Sequence, residues 1–382
     1  MKKFLAILLC LCMVVAIVAC NNGGTTEETT TEAPATEAPT TKAPEVNNEE
    51  ENKAPVEAEY KLGMGVAVAF EAGAAQVDST VAAVVTDANG KIVACRLDVA
   101  QNKFDLTADF ATEAAKTFET KMERGDAYGM AAAVNYGMDW NGDGVVKEWY
   151  DQAKAFEAYV VGMTGAEVAA IQTKVVEGKG YVIAADDALL SAGCTIQITD
   201  FVEAVVAACN DEQGMTFKTA SEFTLGVAAN SFANESVAAT AEADATIAMY
   251  TDYAATVVVD GKIVAAINDA IQPKITATAA GEVVATAYTA TKRNLKEAYN
   301  MSTFGATLDP NGDGVVLEWY LQSEAFSKHV VGMTGAEVAG METAANFLGY
   351  QMTTDTDLLT AGCTIQITAI KAVVAEAVTH AR

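Results

Sequence analysis

The sequence predicts an α+β fold made of two tandem repeats, each a small antiparallel sheet with helices on one side, preceded by a disordered tether. Three observations predict it. Residues 189–199, Leu-Leu-Ser-Ala-Gly-Cys-Thr-Ile-Gln-Ile-Thr, return at 358–368 with ten of eleven positions unchanged. Residues 147–171 return at 317–341 with 16 of 25 identical. Residues 21–58 are Thr, Glu, Ala, Pro and Asn with almost no large apolar side chain, and hold four of the chain's six prolines.

The first element is an export signal over residues 1–19. Met1-Lys2-Lys3 is basic and Phe4 to Ala19 is an apolar run of sixteen residues, short of the roughly 20 that span a bilayer. Ile17-Val18-Ala19-Cys20 resembles a bacterial lipobox. This predicts cleavage before Cys20, lipidation of Cys20 and anchoring on the outer face of the membrane; an uncleaved signal anchor is the alternative. Residues 20–58 are then the lipidated cysteine and its tether, too polar to offset the entropy of ordering. Fully extended, the tether reaches roughly 130 Å.

The remainder divides into repeat 1, residues 59–210, and repeat 2, residues 219–382. Each opens with strand-like sequence. Lys61 to Phe70 is followed by a run near Thr80 to Thr86, the turn Asp87-Ala88-Asn89-Gly90 and Lys91-Ile92-Val93-Ala94. In repeat 2, Ala255 to Val259 leads through Asp260-Gly261 into Lys262-Ile263-Val264-Ala265. Asn-Gly and Asp-Gly between β-branched runs are hairpin signals. A further strand-like stretch ends at Thr120-Lys121 and at Thr291-Lys292.

The second part of each repeat is helical. Trp149, Ala153, Phe156 and Val160 recur at helical spacing, giving one apolar face, and Gly162 reads as the stop. Thr164-Gly165-Ala166-Glu167 and Thr334-Gly335-Ala336-Glu337 fit capping boxes. Ile196-Gln197-Ile198 looks like a short strand. Thr199 and Thr368 look like N-caps of helices running to about Cys209 and His380.

Composition excludes several functions. A net charge of −27 argues against nucleic acid, whose phosphates need cations. The two histidines, His329 and His380, both lie in repeat 2. Nothing common to both repeats can therefore be a Cys–His nucleophile, a Ser-His-Asp triad or a histidine metal site. Cys95 aligns with Ala266 and Cys209 with Val378, so neither is shared. They are either a disulfide private to repeat 1 or two small buried hydrophobes. Cys194 and Cys363, beside Gly193 and Gly362, read as small buried residues.

The other reactive atoms in the repeated motif are the hydroxyls of Thr195 and Thr364. No neighbouring base activates them, but an enzyme bringing its own activation can use them as targets. The helix behind each has a positive N-terminal end that favours a phosphate. The bland reading is a strand residue near a helix cap.

These residues resemble the flavinylation motif of FMN-binding domains, in which a flavin transferase joins FMN through its phosphate to a threonine. The common form is Asp-x-x-Ser/Thr-Gly-Ala-Thr. Repeat 2 offers Asp357-Leu358-Leu359-Thr360-Ala361-Gly362-Cys363-Thr364, one residue longer and with Cys before Thr. Repeat 1 has Ala188 in place of Asp357, with Asp187 one position earlier. The chain is similar to the two-domain flavinylated lipoproteins of Gram-positive extracellular electron transfer. The likeness lies in Thr120-Lys121, Tyr128-Gly129-Met130, Glu148-Trp149-Tyr150, Ala192 to Ile196 and their partners in repeat 2. It implies covalent FMN on Thr195 and Thr364, with Gly193, Cys194, Gly362 and Cys363 around them. It further implies an electron carrier rather than an enzyme, fed by a membrane quinol or dehydrogenase and emptied by extracellular acceptors.

A second repeated feature is Asp139-Trp140-Asn141-Gly142-Asp143-Gly144, matched by Asp309-Pro310-Asn311-Gly312-Asp313-Gly314. Oxygen ligands at positions 1, 3 and 5 with Gly at 6 form the front half of an EF-hand-type calcium loop. Position 12 is Tyr150 or Tyr320 rather than Glu, while both repeats keep Glu148 or Glu318 two places earlier. The residues fit either a weak calcium site (Asp139, Asn141, Asp143; Asp309, Asn311, Asp313) or an Asx-rich turn capping the next helix. The alternative function is accordingly a non-redox surface lipoprotein, a calcium-stabilised binding or adhesion module.

Overall fold

Strands buried on both faces lose the simple alternation of half-buried ones, and this governs the architecture. The computed structural model describes residues 56–136, 139, 142, 144–305, 309 and 315–382. Cys20, the export signal and nearly all of the tether lie outside them. So do Asn141, Asp143, Asn311 and Asp313 of the acidic loops.

One antiparallel sheet has the order Ile92–Lys103, Gln76–Asp87, Ala58–Phe70, Met215–Thr219; a second has the order Lys262–Ile271, Tyr250–Val259, Thr224–Phe232, Thr117–Phe118. Val81, Ala83 and Val85 point to one side and meet Leu225, Val227, Tyr253, Ala255 and Val257 of the second sheet. Ala82 and Val84 point to the other side, under helix Thr199–Cys209. Ala228 and Ala254 likewise face helix Thr368–Thr379. The layers are helix, sheet, sheet, helix, so the α+β expectation holds, with the helices of each sheet on its outer side. Close packing needs bare backbone: a Cβ on Gly65 would lie 2.2 Å from the Ala204 carbonyl oxygen, and one on Gly226 1.8 Å from that of Ala377.

The two parts of the chain interlock. Met215–Thr219 pairs with Ala58–Phe70, whereas Thr117–Phe118 pairs with Thr224–Phe232. Arg293 donates to both carboxylate oxygens of Asp211 at 3.1 Å, and Arg382 donates to those of Glu157 at 3.0 and 2.8 Å. The described residues accordingly form one compact unit.

Both hairpins stand where their turn residues place them, as do Gly162 (φ +87°) and both capping boxes. Three local expectations change. Residues 196–198 are not a strand: the Ile198 N–H donates alone to the Val182 carbonyl at 3.2 Å, with no ladder beside it. Thr199 and Thr368 are the first helical residues, and the N-caps are Ile198 and Ile367. Thr120 and Thr291 do not end strands; they cap the short helices Lys121–Arg124 and Lys292–Leu295. Among the described residues no helix is long and apolar enough to cross a membrane.

Candidate functional site

The motif is a sharp exit from a short helix. Asp186 caps Asp187–Ser191 and Asp355 caps Thr356–Thr360, each accepting from two main-chain N–H groups. The chain then turns at Gly193 (φ +93°) and Gly362 (φ +89°), a left-handed backbone that suits glycine. Cys194 and Cys363 follow, both fully buried. Burial pushes each thiol up to about 12, so neither is a thiolate at neutral pH. They are the small buried residues that the sequence suggests.

Thr195 and Thr364 come next. The Thr195 main-chain N–H donates to Gln152 Oε1 at 2.8 Å and its hydroxyl donates to the same oxygen at 3.3 Å. Thr364 does the same to Gln322, at 2.7 and 3.2 Å. Each glutamine is held by its own amide, which donates at 2.7 Å to the carbonyl of Lys147 or Leu317. Thr195 is only 3% exposed, while Thr364 is half-buried. The motif's small residues therefore uncover Ala192 and Ala361 more than the hydroxyls. Four residues on, the helices Thr199–Cys209 and Thr368–Thr379 begin without any side-chain cap. Their first N–H groups have no helical partners.

A second repeated cluster sits beside the motif. The Lys121 ammonium lies 5.1 Å from the centre of the Tyr128 ring and 5.7 Å from that of Trp149. The Lys292 ammonium lies 5.1 Å from Tyr299 and 4.9 Å from Trp319. Asp98 Oδ1 accepts from the Met122 N–H at 3.1 Å and Asp269 Oδ1 from the Arg293 N–H at 3.0 Å, tying each lysine segment to its sheet. Burial lifts Asp98 to about 6 and Asp252 to about 6. Burial lowers Lys292 to about 8, against the pull of Asp252, Asp269 and Glu235.

Of the acidic loops, Asp139 and Asp309 are described. Asp139 accepts from the Gly142 N–H at 2.9 Å and the Gly144 N–H at 2.7 Å. Glu148 and Glu318, the carboxylates that both repeats keep two places before the position that would close a calcium loop, are engaged elsewhere. Glu148 accepts from the N–H groups of Met130 and Ala131 at 2.8 and 3.0 Å, and Glu318 from those of Met301 and Ser302 at 2.8 and 3.2 Å. Among the described residues no three His, Cys, Asp or Glu side chains converge as a metal group.

An open groove of about 690 Å³ runs along the outer face of helix Trp149–Val160, lined by Lys147, Lys154, Tyr159 and Ala192 among others. The Lys147 ammonium donates to the Ala192 carbonyl at 2.8 Å. Repeat 2 has Leu317, Glu324 and His329 where repeat 1 has Lys147, Lys154 and Tyr159, so the groove's chemistry belongs to repeat 1 alone.

Sequence reasoning missed Gln152 and Gln322, because a polar residue in an amphipathic helix reads as solvent-facing. Their signal is identity at one position of both repeats, and both are essentially fully buried. It also missed Lys121 and Lys292 as the centres of aromatic clusters, although the Thr-Lys pairs themselves were visible.

No family model matches the chain. A chlorophenol reductase of Desulfitobacterium hafniense is 36% identical over 135 residues, covering 30% of this chain and 38% of the reductase. The chain thus spans well under half of that curated relative's length. A solved structure from Bacteroides fragilis, described as having a YmcC-like fold, shares 8% identity over 59% of this chain and 90% of its own. Its TM-score of 0.12 carries no argument.

Proposed function

We propose that this protein is a membrane-anchored extracytoplasmic electron carrier with FMN attached through its phosphate to Thr195 and Thr364. One observation carries the reading: in both repeats a clasped threonine hydroxyl stands four residues ahead of a helix whose N-terminal amides lack a side-chain cap. A phosphate on that hydroxyl suits such an end, through dipole and free donors together. The residues fit the group best in repeat 2, where Ala369 occupies the place of Asp200 and leaves no acid in the helix's first turn. Bound FMN supplies one- and two-electron redox chemistry that no side chain here provides. The chain's own residues hold the threonine main chain through Gln152 and Gln322, an interaction that does not need a free hydroxyl. Lipid on Cys20 and the long polar segment that follows it in sequence suit a carrier working between a membrane quinol or dehydrogenase and outer acceptors.

The test is to co-express the exported chain with a flavin transferase and record its intact mass. Two FMN-sized increments are expected, one lost in Thr195→Ala and one in Thr364→Ala, with Thr364 loaded first because it is less buried. A chain without increments ends this reading.

A second reading, a calcium-stabilised binding or adhesion module, is favoured by the Asp139 carboxylate, which folds its loop as the first ligand of such a site does. An unmodified protein whose melting temperature rises with calcium, and no longer does so in Asp139→Ala, decides for it.

A further inference from the structure

At one place repeat 2 lacks a carboxylate that repeat 1 keeps. In repeat 1 the buried Glu157 carboxylate closes on the edge strand Ile92–Lys103. It accepts from the Leu97 N–H at 2.8 Å and from Arg382 at 3.0 and 2.8 Å, with Arg96 3.7 Å away. Repeat 2 has Ser327 in place of Glu157, Asn268 in place of Leu97 and Ile267 in place of Arg96. Gln213, just past repeat 1, stands in place of Arg382. Each charged member of the cluster is thus replaced by a shorter, uncharged side chain. Beside the strand Lys262–Ile271 and the helix Trp319–His329 lies a cavity of about 60 Å³, lined by Gln213, Asn268, Arg293, Ser323, Ser327 and Lys328 among others.

The lining is rich in donors. Arg293, where repeat 1 has Met122, is 7% exposed. Its Nη2 donates to both oxygens of Asp211 at 3.1 Å and to the Gln213 carbonyl at 3.2 Å. Its Nε and Nη1 meet no acceptor among the described residues. Ser323 Oγ is engaged by Asn268, 2.7 Å from Oδ1 and 2.9 Å from the carbonyl oxygen. Ser327 Oγ accepts from Asn268 Nδ2 at 2.8 Å, and its own O–H meets no acceptor among the described residues. Asp211 matches the charge of Arg293. Lys328 pairs only with Glu324, at side chains 65% and 41% exposed, and such surface pairs hold weakly. Lys328 therefore remains to meet an anion.

We propose that this cavity binds a small monocarboxylate, of the size of formate or acetate, which takes the place that the Glu157 side chain fills in repeat 1. Arg293 and the Ser327 hydroxyl donate to its oxygens, the former in a charge-assisted bond. The site makes no use of Thr195 or Thr364, so it stands whether or not flavin is attached.

The test is saturation-transfer NMR of the whole chain with acetate, at an ionic strength held constant with chloride. A saturable signal, weakened about tenfold or more in Arg293→Gln and abolished in Ser327→Glu, supports the site. Where Arg293→Gln fails to fold, Lys328→Met replaces it, since Lys328 is exposed, and the same weakening is expected. Ser327→Glu puts the carboxylate of repeat 1 into the cavity covalently, so its urea midpoint should equal or exceed that of wild type. A lower midpoint overturns the proposal, because the cavity then rejects a carboxylate delivered to it. Equal acetate signals from wild type and Ser327→Glu overturn it too, by placing the binding elsewhere, as does a chain with no saturable signal.

Discussion

Gln152 Oε1 accepts two hydrogen bonds from Thr195, one from the main-chain N–H at 2.8 Å and one from the hydroxyl at 3.3 Å. The shorter bond satisfies a buried amide and the longer orients the hydroxyl. Gln152→Leu keeps the side chain's bulk but strands that amide, a loss of about 1–3 kcal/mol. The expected result is a lower urea midpoint, with faster hydrogen exchange at Thr195 and its neighbours. Gln322→Leu should act in the same direction at Thr364 but less strongly, because Thr364 is half-buried and water can replace part of the bond. A Gln152→Leu protein as stable as wild type would show that the clasp is incidental.

Arg293 and Arg382 join the two parts of the chain with unequal burial. Arg293 and Asp211 are each 8% exposed at their side chains, whereas Arg382 is 37% exposed over a Glu157 that is 5% exposed. Removing one partner of a buried pair costs about 3–5 kcal/mol, because the other charge is left without compensation. Arg293→Ala should fall in that range. Arg382→Ala should cost clearly less, since solvent already screens it and Arg96 stays 3.7 Å from Glu157. Denaturant midpoints of the two variants decide the order, and both proteins should still unfold in a single transition.

The parts of this fold that are local in sequence were legible. Turn glycines placed the hairpins, and Trp149, Ala153, Phe156 and Val160, all buried, gave the helix its face. What sequence could not carry was partnership at a distance. Residues 196–198 have the β-branched pattern of a strand, yet no neighbour runs beside them. Thr199 has the chemistry of a cap, yet the chain enters the helix one residue earlier, at Ile198. The pairing of Thr117–Phe118 with Thr224–Phe232 joins residues over a hundred positions apart, with only two residues to signal it. In the site, Thr195 and Thr364 were visible through identity between repeats. Gln152 and Gln322, which clasp them, were not, because a polar residue in an amphipathic helix reads as solvent-facing.

The buried acids make stability fall as pH rises through the mildly acidic range. Asp98 and Asp252 are raised by burial from 3.8 to about 6. The native state therefore holds protons that the unfolded chain releases, and stability present below pH about 4 is lost as pH climbs towards 6. Each contributes about 3 kcal/mol at the most over that window. Asp252→Asn should flatten this limb of the pH–stability curve. Lys292 acts with the opposite slope: its native value is lowered to about 8 from 10.5. Stability through this group is lacking below about 8 and recovers as pH rises towards 10.5. Lys292→Met should remove that alkaline gain and steepen the acid limb, because the Lys292 charge holds Asp252 down. Urea midpoints at pH 4, 6, 8 and 10 measure both slopes.

Gly193 and Gly362 share a left-handed backbone but differ in what lies above it. A Cβ at Gly193 would come within 2.5 Å of Lys147 Cε, and one at Gly362 within 2.5 Å of Leu317 Cδ1. The backbone cost of a side chain there is about 1–2 kcal/mol in both repeats. Lys147 ends in a flexible, exposed chain and can swing away, giving up only its bond to the Ala192 carbonyl. Leu317 is branched and half-buried and has less freedom to move. Gly362→Ala should therefore destabilise the protein more than Gly193→Ala, with both variants below wild type in melting temperature. The reverse order would mean that the Lys147–Ala192 contact, present in repeat 1 alone, matters more than the packing of Leu317.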